Sequence, residues 1–213
     1  MEVLDYKKKF KELYQPKTDP SVIEVTQISF IAIDGRGNPN DKDGEYQNAV
    51  ETLYTLSYAI KMMPKAGSAP AGYFNYVVPP LEGLWWIGDG DTSDFSNKSK
   101  YCWTSMIRQP EFVTKSIFNA ACDIVKKKKP LLDLSNARLV SFTEGLCVQC
   151  MHVGSFDEEP ASIKKMDAFI QEQGFVNDLS ETRRHHEIYL SDPRKIDESK
   201  MKTVLRIPVK RVN

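Results

Sequence analysis

The spacing of apolar positions changes several times along the chain, and each change predicts an element. Val22 to Ile33 is apolar and β-rich and stops at Asp34-Gly35-Arg36-Gly37-Asn38-Pro39, a cluster of turn formers, which predicts a long first strand. From Glu45 to Met62 the positions Tyr46, Ala49, Val50, Leu53, Ser57 and Ile60 recur at helical spacing, with Asp43 as the candidate N-cap and Pro64 and Gly67 as the stop. Tyr73 to Val78 and Gly83 to Ile87 read as strands on either side of Pro79-Pro80, and Gly88 to Asp94 reads as a loop. Tyr101 to Arg108 predicts a further strand.

The second half runs through similar periods. Pro110-Glu111 opens a predicted helix with Val113, Ile117, Ala121 and Ile124 on one face, closed by Pro130. Arg138 to Phe142 and Leu146 to Val153 read as a strand pair around Glu144-Gly145. Ser155-Phe156-Asp157-Glu158 has the form of a capping box, Ile163, Met166, Phe169 and Ile170 give the next helix its apolar stripe, and Gly174 stops it. Arg184 to Leu190 and Thr203 to Val209 close the chain as strands.

Each half therefore holds a strand, a long helix and further strands, and Glu82-Gly83-Leu84 is echoed by Glu144-Gly145-Leu146. The pattern predicts an α+β protein of duplicated strand-helix-strand-strand units whose antiparallel sheets face a shared central cleft. Residues 1–20 read as an N-terminal extension with Leu4, Phe10, Leu13 and Tyr14 as docking residues, and residues 21–213 as one domain with repeats of about 21–109 and 110–213.

Composition removes several classes of function. Lys and Arg total 29 and so do Asp and Glu, so no net field recruits nucleic acid or an anionic membrane, and neither is expected as a partner. The first residues lack the apolar core of a signal peptide and no window has the length of a spanning helix, which predicts a cytoplasmic protein. Cys102, Cys122, Cys147 and Cys150 are too scattered for a disulfide framework and are expected to be reduced. Cys147-Val148-Gln149-Cys150 with His152 has a zinc-like gap, but a strand points Cys147 and Cys150 to opposite faces and a second ligand pair is missing. Gly35-Arg36-Gly37 lacks the third glycine of a phosphate loop, and Lys126 to Lys129 fits a solvated helix end. No metal or cofactor is expected.

The chemistry gathers around a carboxylate. Glu187 lies in His185-His186-Glu187-Ile188-Tyr189-Leu190, where strands disfavour it, and alternation puts His185, Glu187 and Tyr189 on one face and His186, Ile188 and Leu190 on the other. Such a face either meets water on an edge strand or lines a cavity that uses the charge. Upstream, Tyr73, Phe74, Tyr76, Trp85, Trp86 and Trp103 flank Glu82 and supply the walls of an acidic, aromatic pocket. Glu158 and Glu159 start a helix, where they favour its dipole, and Pro160 fixes the backbone after Glu159.

Three runs carry a family resemblance: Pro79-Pro80-Leu81-Glu82-Gly83-Leu84-Trp85-Trp86, His152 to Pro160, and His186-Glu187-Ile188-Tyr189-Leu190-Ser191-Asp192-Pro193. In this order they resemble the GyrI-like small-molecule-binding proteins over roughly residues 20 to 210, most clearly in the second half. The resemblance implies a duplicated fold with a ligand cleft and a small aromatic or cationic ligand held against a buried glutamate, a position that Glu187 matches. No helix-turn-helix unit is evident, so the chain is more similar to the stand-alone branch, in which some members are implicated as hydrolases of cyclopropanoid aromatic natural products. On that resemblance Glu187 and Glu159 are the candidate catalytic carboxylates, Tyr189 a donor to the developing oxyanion, and Trp86, Tyr76 and Trp103 stacking residues, with Glu82 and Phe156 completing the ligand set. A drug-binding or effector-sensing protein without catalysis is the alternative, and an inhibitor of a protein partner is a third possibility within the family. The oligomeric state is left open.

Overall fold

The computed structural model describes residues 3–88 and 97–212. Before the first strand lie two single-turn helices, α1 (Tyr6–Lys9) and α2 (Lys11–Tyr14). Helices this short do not hold themselves in water. They are fixed by Tyr6 and Tyr14, each 1% exposed, while Phe10 and Leu13 remain half-buried.

The first repeat begins with β1 (Ser21–Arg36), a 16-residue strand. Asp43 takes a left-handed φ of 55° and the helix N-cap falls on Gly44 instead, after which α3 (Glu45–Met62) buries Ala49, Leu53, Leu56 and Ile60. Tyr73 to Val78 is not a strand: Tyr76 makes an isolated bridge to Leu4, and ring contacts of Tyr73, Phe74 and Tyr76 with Phe112 hold the segment. β2 (Leu81–Ile87) and β3 (Tyr101–Arg108) follow, and the predicted loop between them lies, beyond Gly88, outside the described residues. The helix expected from Pro110 begins at Lys115, because the Thr114 hydroxyl accepts from the Ile117 amide and caps it there, so α4 (Lys115–Lys128) buries Phe118, Ala121 and Val125.

β4 (Arg138–Val153) follows, again 16 residues. A strand pair was expected here, but Gly145 absorbs the irregularity with φ 73° and the chain continues without reversing. The capping box forms as the sequence indicates, with Ser155 and Glu158 bonded reciprocally around the single turn Phe156–Glu158 that leads into α5 (Glu159–Glu172). Then come β5 (Phe175–Asn177), β6 (His185–Tyr189) and β7 (Lys202–Arg211).

The duplication shows in the pairing. In the first repeat the strands are ordered β1-β3-β2 and in the second β4-β7-β6. The long strand of each repeat is antiparallel to the last strand, with Phe30 opposite Arg108 in one and Cys147 opposite Pro208 in the other. The Glu-Gly-Leu echo is not its trace, since Glu82 belongs to β2, the third element of its repeat, and Glu144 to β4, the first of the other.

Contacts divide the chain into two compact units. The first contains residues 28–81 and 86–142 with the extreme N-terminus, and in it α3 packs on β3 and α4. The second contains residues 7–27, 82–85 and 143–213. At its centre runs β7, paired with β4 through Val204 and Met151 and with β6 through Val204 and Ile188, so the two partners flank it. On one face Val148, Cys150, Leu205, Ile207 and Val209 meet Met166 and Ile170 of α5. Each fully buried aliphatic side chain there contributes roughly 1.5–3 kcal/mol. The opposite face carries the segment around α2, whose Leu13 and Glu12 carbonyls accept from Arg206 and Gln149.

Candidate functional site

Alternation along β6 settles which way its polar residues point. His186 and Ile188 are 1% exposed, while His185, Glu187 and Tyr189 are half-buried, so the two sets take opposite faces as the sequence indicates. Glu187 lies across from Leu205 on β7, a residue of the α5 core, and across from Gly83 on β2. Its carboxylate therefore sits on the α5 face of the second unit.

Each carboxylate oxygen has a polar neighbour. The Tyr189 hydroxyl donates to Oε2 at 2.8 Å and in turn accepts from Trp85 Nε1 at 2.7 Å. His185 Nε2 stands 3.4 Å from Oε1, and the side chains of His185 and Glu187 are 17% and 14% exposed. Gly83 makes this arrangement possible: a Cβ there would lie 2.6 Å from Trp85 Nε1 and 3.1 Å from the Tyr189 oxygen. The Phe156 ring meets Tyr189 edge-on at 5.8 Å, bringing the turn before α5 to the same place.

The helix start supplies a second carboxylate. Glu158 is spent on the capping box, whereas Glu159 is buried in the first turn of α5. Burial, opposed by Lys165 and helped by the Glu159 charge, pushes the Cys150 thiol up to about 11. Cys150, Leu205 and Glu187 form one row across β4, β7 and β6, so Glu159 and Glu187 belong to the same face. Cys147, with Gln149, projects from the other side of β4, as strand geometry requires.

Glu82 is placed elsewhere. It is 2% exposed on the β2 face opposite Gly83 and Trp85, and it accepts from Tyr14 at 3.3 Å and bonds His186 Nε2 at 3.0 Å. Glu144 takes the other ring nitrogen of His186 at 3.1 Å and Arg206 at 2.8 Å. Two carboxylates thus clamp one imidazole, with Arg206 balancing the charge. Burial disfavours the His186 cation, but Glu144 and Glu82 outweigh it and raise its pKa to about 9. Burial likewise pushes Glu144 up, and Arg206 and His186 overcome this and bring it down to about 2. Glu82, expected in the ligand set, has its carboxylate bonded to His186 and Tyr14.

The expected stacking residues divide in the same way. Trp86, Tyr76 and Trp103 belong to the first unit, and Glu187, Tyr189, Phe156 and Glu159 to the second. Tyr76 and Trp103 are 1% and 0% exposed, packed against Phe112 and Tyr46 respectively. The aromatic side chain that β2 gives to Glu187 is Trp85, one residue from the tryptophan singled out in the sequence. Its signal was available, since Gly83 and Trp85 share a face by alternation, but the register against β6 was needed to show that this face is that of Glu187.

An α+β chain of duplicated units with a sheltered carboxylate among aromatic side chains has the make-up of a small-molecule-binding domain. The chain belongs to the GyrI-like small molecule binding domain family, whose model matches residues 18–210. It is similar to a hydrolase from Listeria innocua, with 45% identity over 97% of this chain and 100% of that one and a TM-score of 0.88. An uncharacterized conserved protein from Listeria innocua has the same identity and coverage and a TM-score of 0.92. A further hydrolase from that organism is 44% identical over 98% of this chain and 100% of that one, with a TM-score of 0.90. No curated protein sequence matches the chain. Among the described residues no helix is long and apolar enough to cross a membrane.

Proposed function

We propose that the α5 face of the second unit takes up flat aromatic compounds, cationic ones among them, and catalyses the addition of water to the cyclopropane of cyclopropanoid aromatic toxins. The observation that carries this reading is the Glu187 carboxylate, only 14% exposed, held by Tyr189 on one oxygen and adjoined by the rings of Trp85 and Phe156 through that tyrosine. A charge kept this far from water is costly unless something uses it. The similar Listeria innocua chains named as hydrolases favour chemistry over binding alone.

In the proposed reaction Glu187 accepts a proton from a water whose oxygen attacks a ring carbon of the cyclopropane. The C–C bond breaks, its electron pair passes through the dienone to the carbonyl oxygen, and that oxygen takes up a proton as the ring aromatises. The sum is one water added. Glu159 is the second carboxylate that orients the water, and the ring of Trp85 stacks on the substrate. Tyr189 positions the base in this reading, since its hydroxyl donates to Glu187.

The same hydrogen bond supports a second reading. A carboxylate fixed by a phenol beside aromatic rings suits the holding of a cation without turnover. Incubating the protein with a cyclopropanoid alkylator and analysing the mixture by mass spectrometry separates the two. Protein-dependent formation of a product heavier by one water supports hydrolysis, and recovery of intact ligand supports sequestration.

A further inference from the structure

The Glu187 site carries a histidine that the proposed reaction does not use. His185 is opposite Trp85 on β2 and shares the face of Glu187, and its Nε2 is buried 3.4 Å from Glu187 Oε1 with no hydrogen-bond partner among the described residues. The other oxygen is already taken by Tyr189 at 2.8 Å. The side of the carboxylate that faces His185 is therefore the side left for a ligand, and the histidine contests it.

We infer that His185 sets the charge preference of the Glu187 site: as a neutral imidazole it leaves the carboxylate's charge to a cationic ligand, and as an imidazolium it supplies the counter-charge itself. Histidine as a residue type changes charge between about pH 5 and 8, which is the range the test below spans. A cationic aromatic ligand then binds more weakly as pH falls, while a neutral one of similar shape is indifferent. This rests on Glu187 being the ligand carboxylate.

The other titratable groups on this face come from each of the elements packed against it. Tyr189 is on the same strand and donates to Glu187. From β4, Cys150 is pushed up to about 11 by burial, and His152 has both ring nitrogens engaged, by Ser162 and by the Ser155 carbonyl. From α5, Glu159 and Lys165 face Cys150. From β2 come Gly83 and Trp85, neither of which titrates.

The test compares two planar fluorescent probes, the permanent cation ethidium and the neutral acridone, across pH 5.5 to 7.5 in the wild-type protein, H185Q and E187Q. Ethidium affinity is expected to rise about three- to tenfold with pH in the wild type, the range of a partly exposed ion pair, to be flat in H185Q, and to be weak throughout in E187Q. Acridone affinity is expected to be flat in all. A pH dependence that persists in H185Q, or that acridone shares, overturns the inference while leaving Glu187 as the ligand carboxylate. Ethidium binding that is unchanged in E187Q, or no saturable binding of either probe, overturns the reading of the site and this inference with it.

Discussion

Trp85 Nε1 donates to the Tyr189 hydroxyl at 2.7 Å, and that bond orients the phenol so that its proton reaches Glu187 at 2.8 Å. The relay spans adjacent strands and depends on the absence of a side chain at Gly83. The G83A variant places a Cβ 2.6 Å from Trp85 Nε1 and 3.1 Å from the Tyr189 oxygen. It is expected to cost about 1–3 kcal/mol, as over-packing does, and to weaken ligand binding. Urea denaturation and dye titration check the two effects together; wild-type values in both would mean that the relay does not need the glycine.

The Y189F variant keeps the ring against Phe156 and removes the proton that Glu187 accepts. The loss of one hydrogen bond to a charged group predicts about 1.5–3 kcal/mol of destabilisation, felt by the Glu187 site more than by the core. Turnover is expected to fall by more than binding, because a carboxylate released from its partner no longer aims the water. Steady-state kinetics with a cyclopropanoid substrate would read this as a fall in kcat with a smaller change in KM.

On the opposite face, His186 bonds both Glu82 and Glu144, and its removal leaves both buried carboxylates short of a donor. H186A is expected to lose on the order of 3–5 kcal/mol, the usual cost of breaking a buried ion pair from one side. Y14F is milder, about 1–3 kcal/mol, because Glu82 loses one donor and keeps His186. Equal effects of the two substitutions in urea denaturation would contradict this ranking.

Stability is expected to depend on pH from both ends of that network. His186 has a folded pKa raised to about 9, so its contribution is complete below its unfolded value near 6.5 and is lost as pH rises through about 9. Glu144 is lowered to about 2 from 4.5, so its contribution is present above 4.5 and is lost as pH falls through about 2. The two share one interaction and their sum is on the order of 3 kcal/mol rather than twice that. Thermal melts should therefore peak between pH 4.5 and 6.5 and fall toward pH 9, and in H186A the fall on the alkaline side should disappear.

Local patterns carried most of the fold into the sequence. The period of α3 marked both its ends, and the face of β6 that holds Glu187 followed from alternation alone. What stayed hidden depends on pairing. Glu144-Gly145 looked like a hairpin turn because a glycine beside a polar residue between apolar runs fits a turn as well as a strand that continues through a left-handed residue. The bond between Glu82 and His186 joins positions more than a hundred residues apart, which no local pattern announces. Trp85 and Trp86 differ only in which face of β2 they take relative to β6, and nothing local fixes that register.

The central claim is that Glu187 acts on a water and does more than hold a charge. The most direct measurement is the amount of water-addition product formed from a cyclopropanoid alkylator by E187Q against the wild type, quantified by mass spectrometry under single-turnover conditions. Replacement of the general base is expected to lower the rate by about 100-fold or more, with a neutral aromatic ligand still bound and the fold intact by circular dichroism. Product formation at the wild-type rate in E187Q would contradict the account.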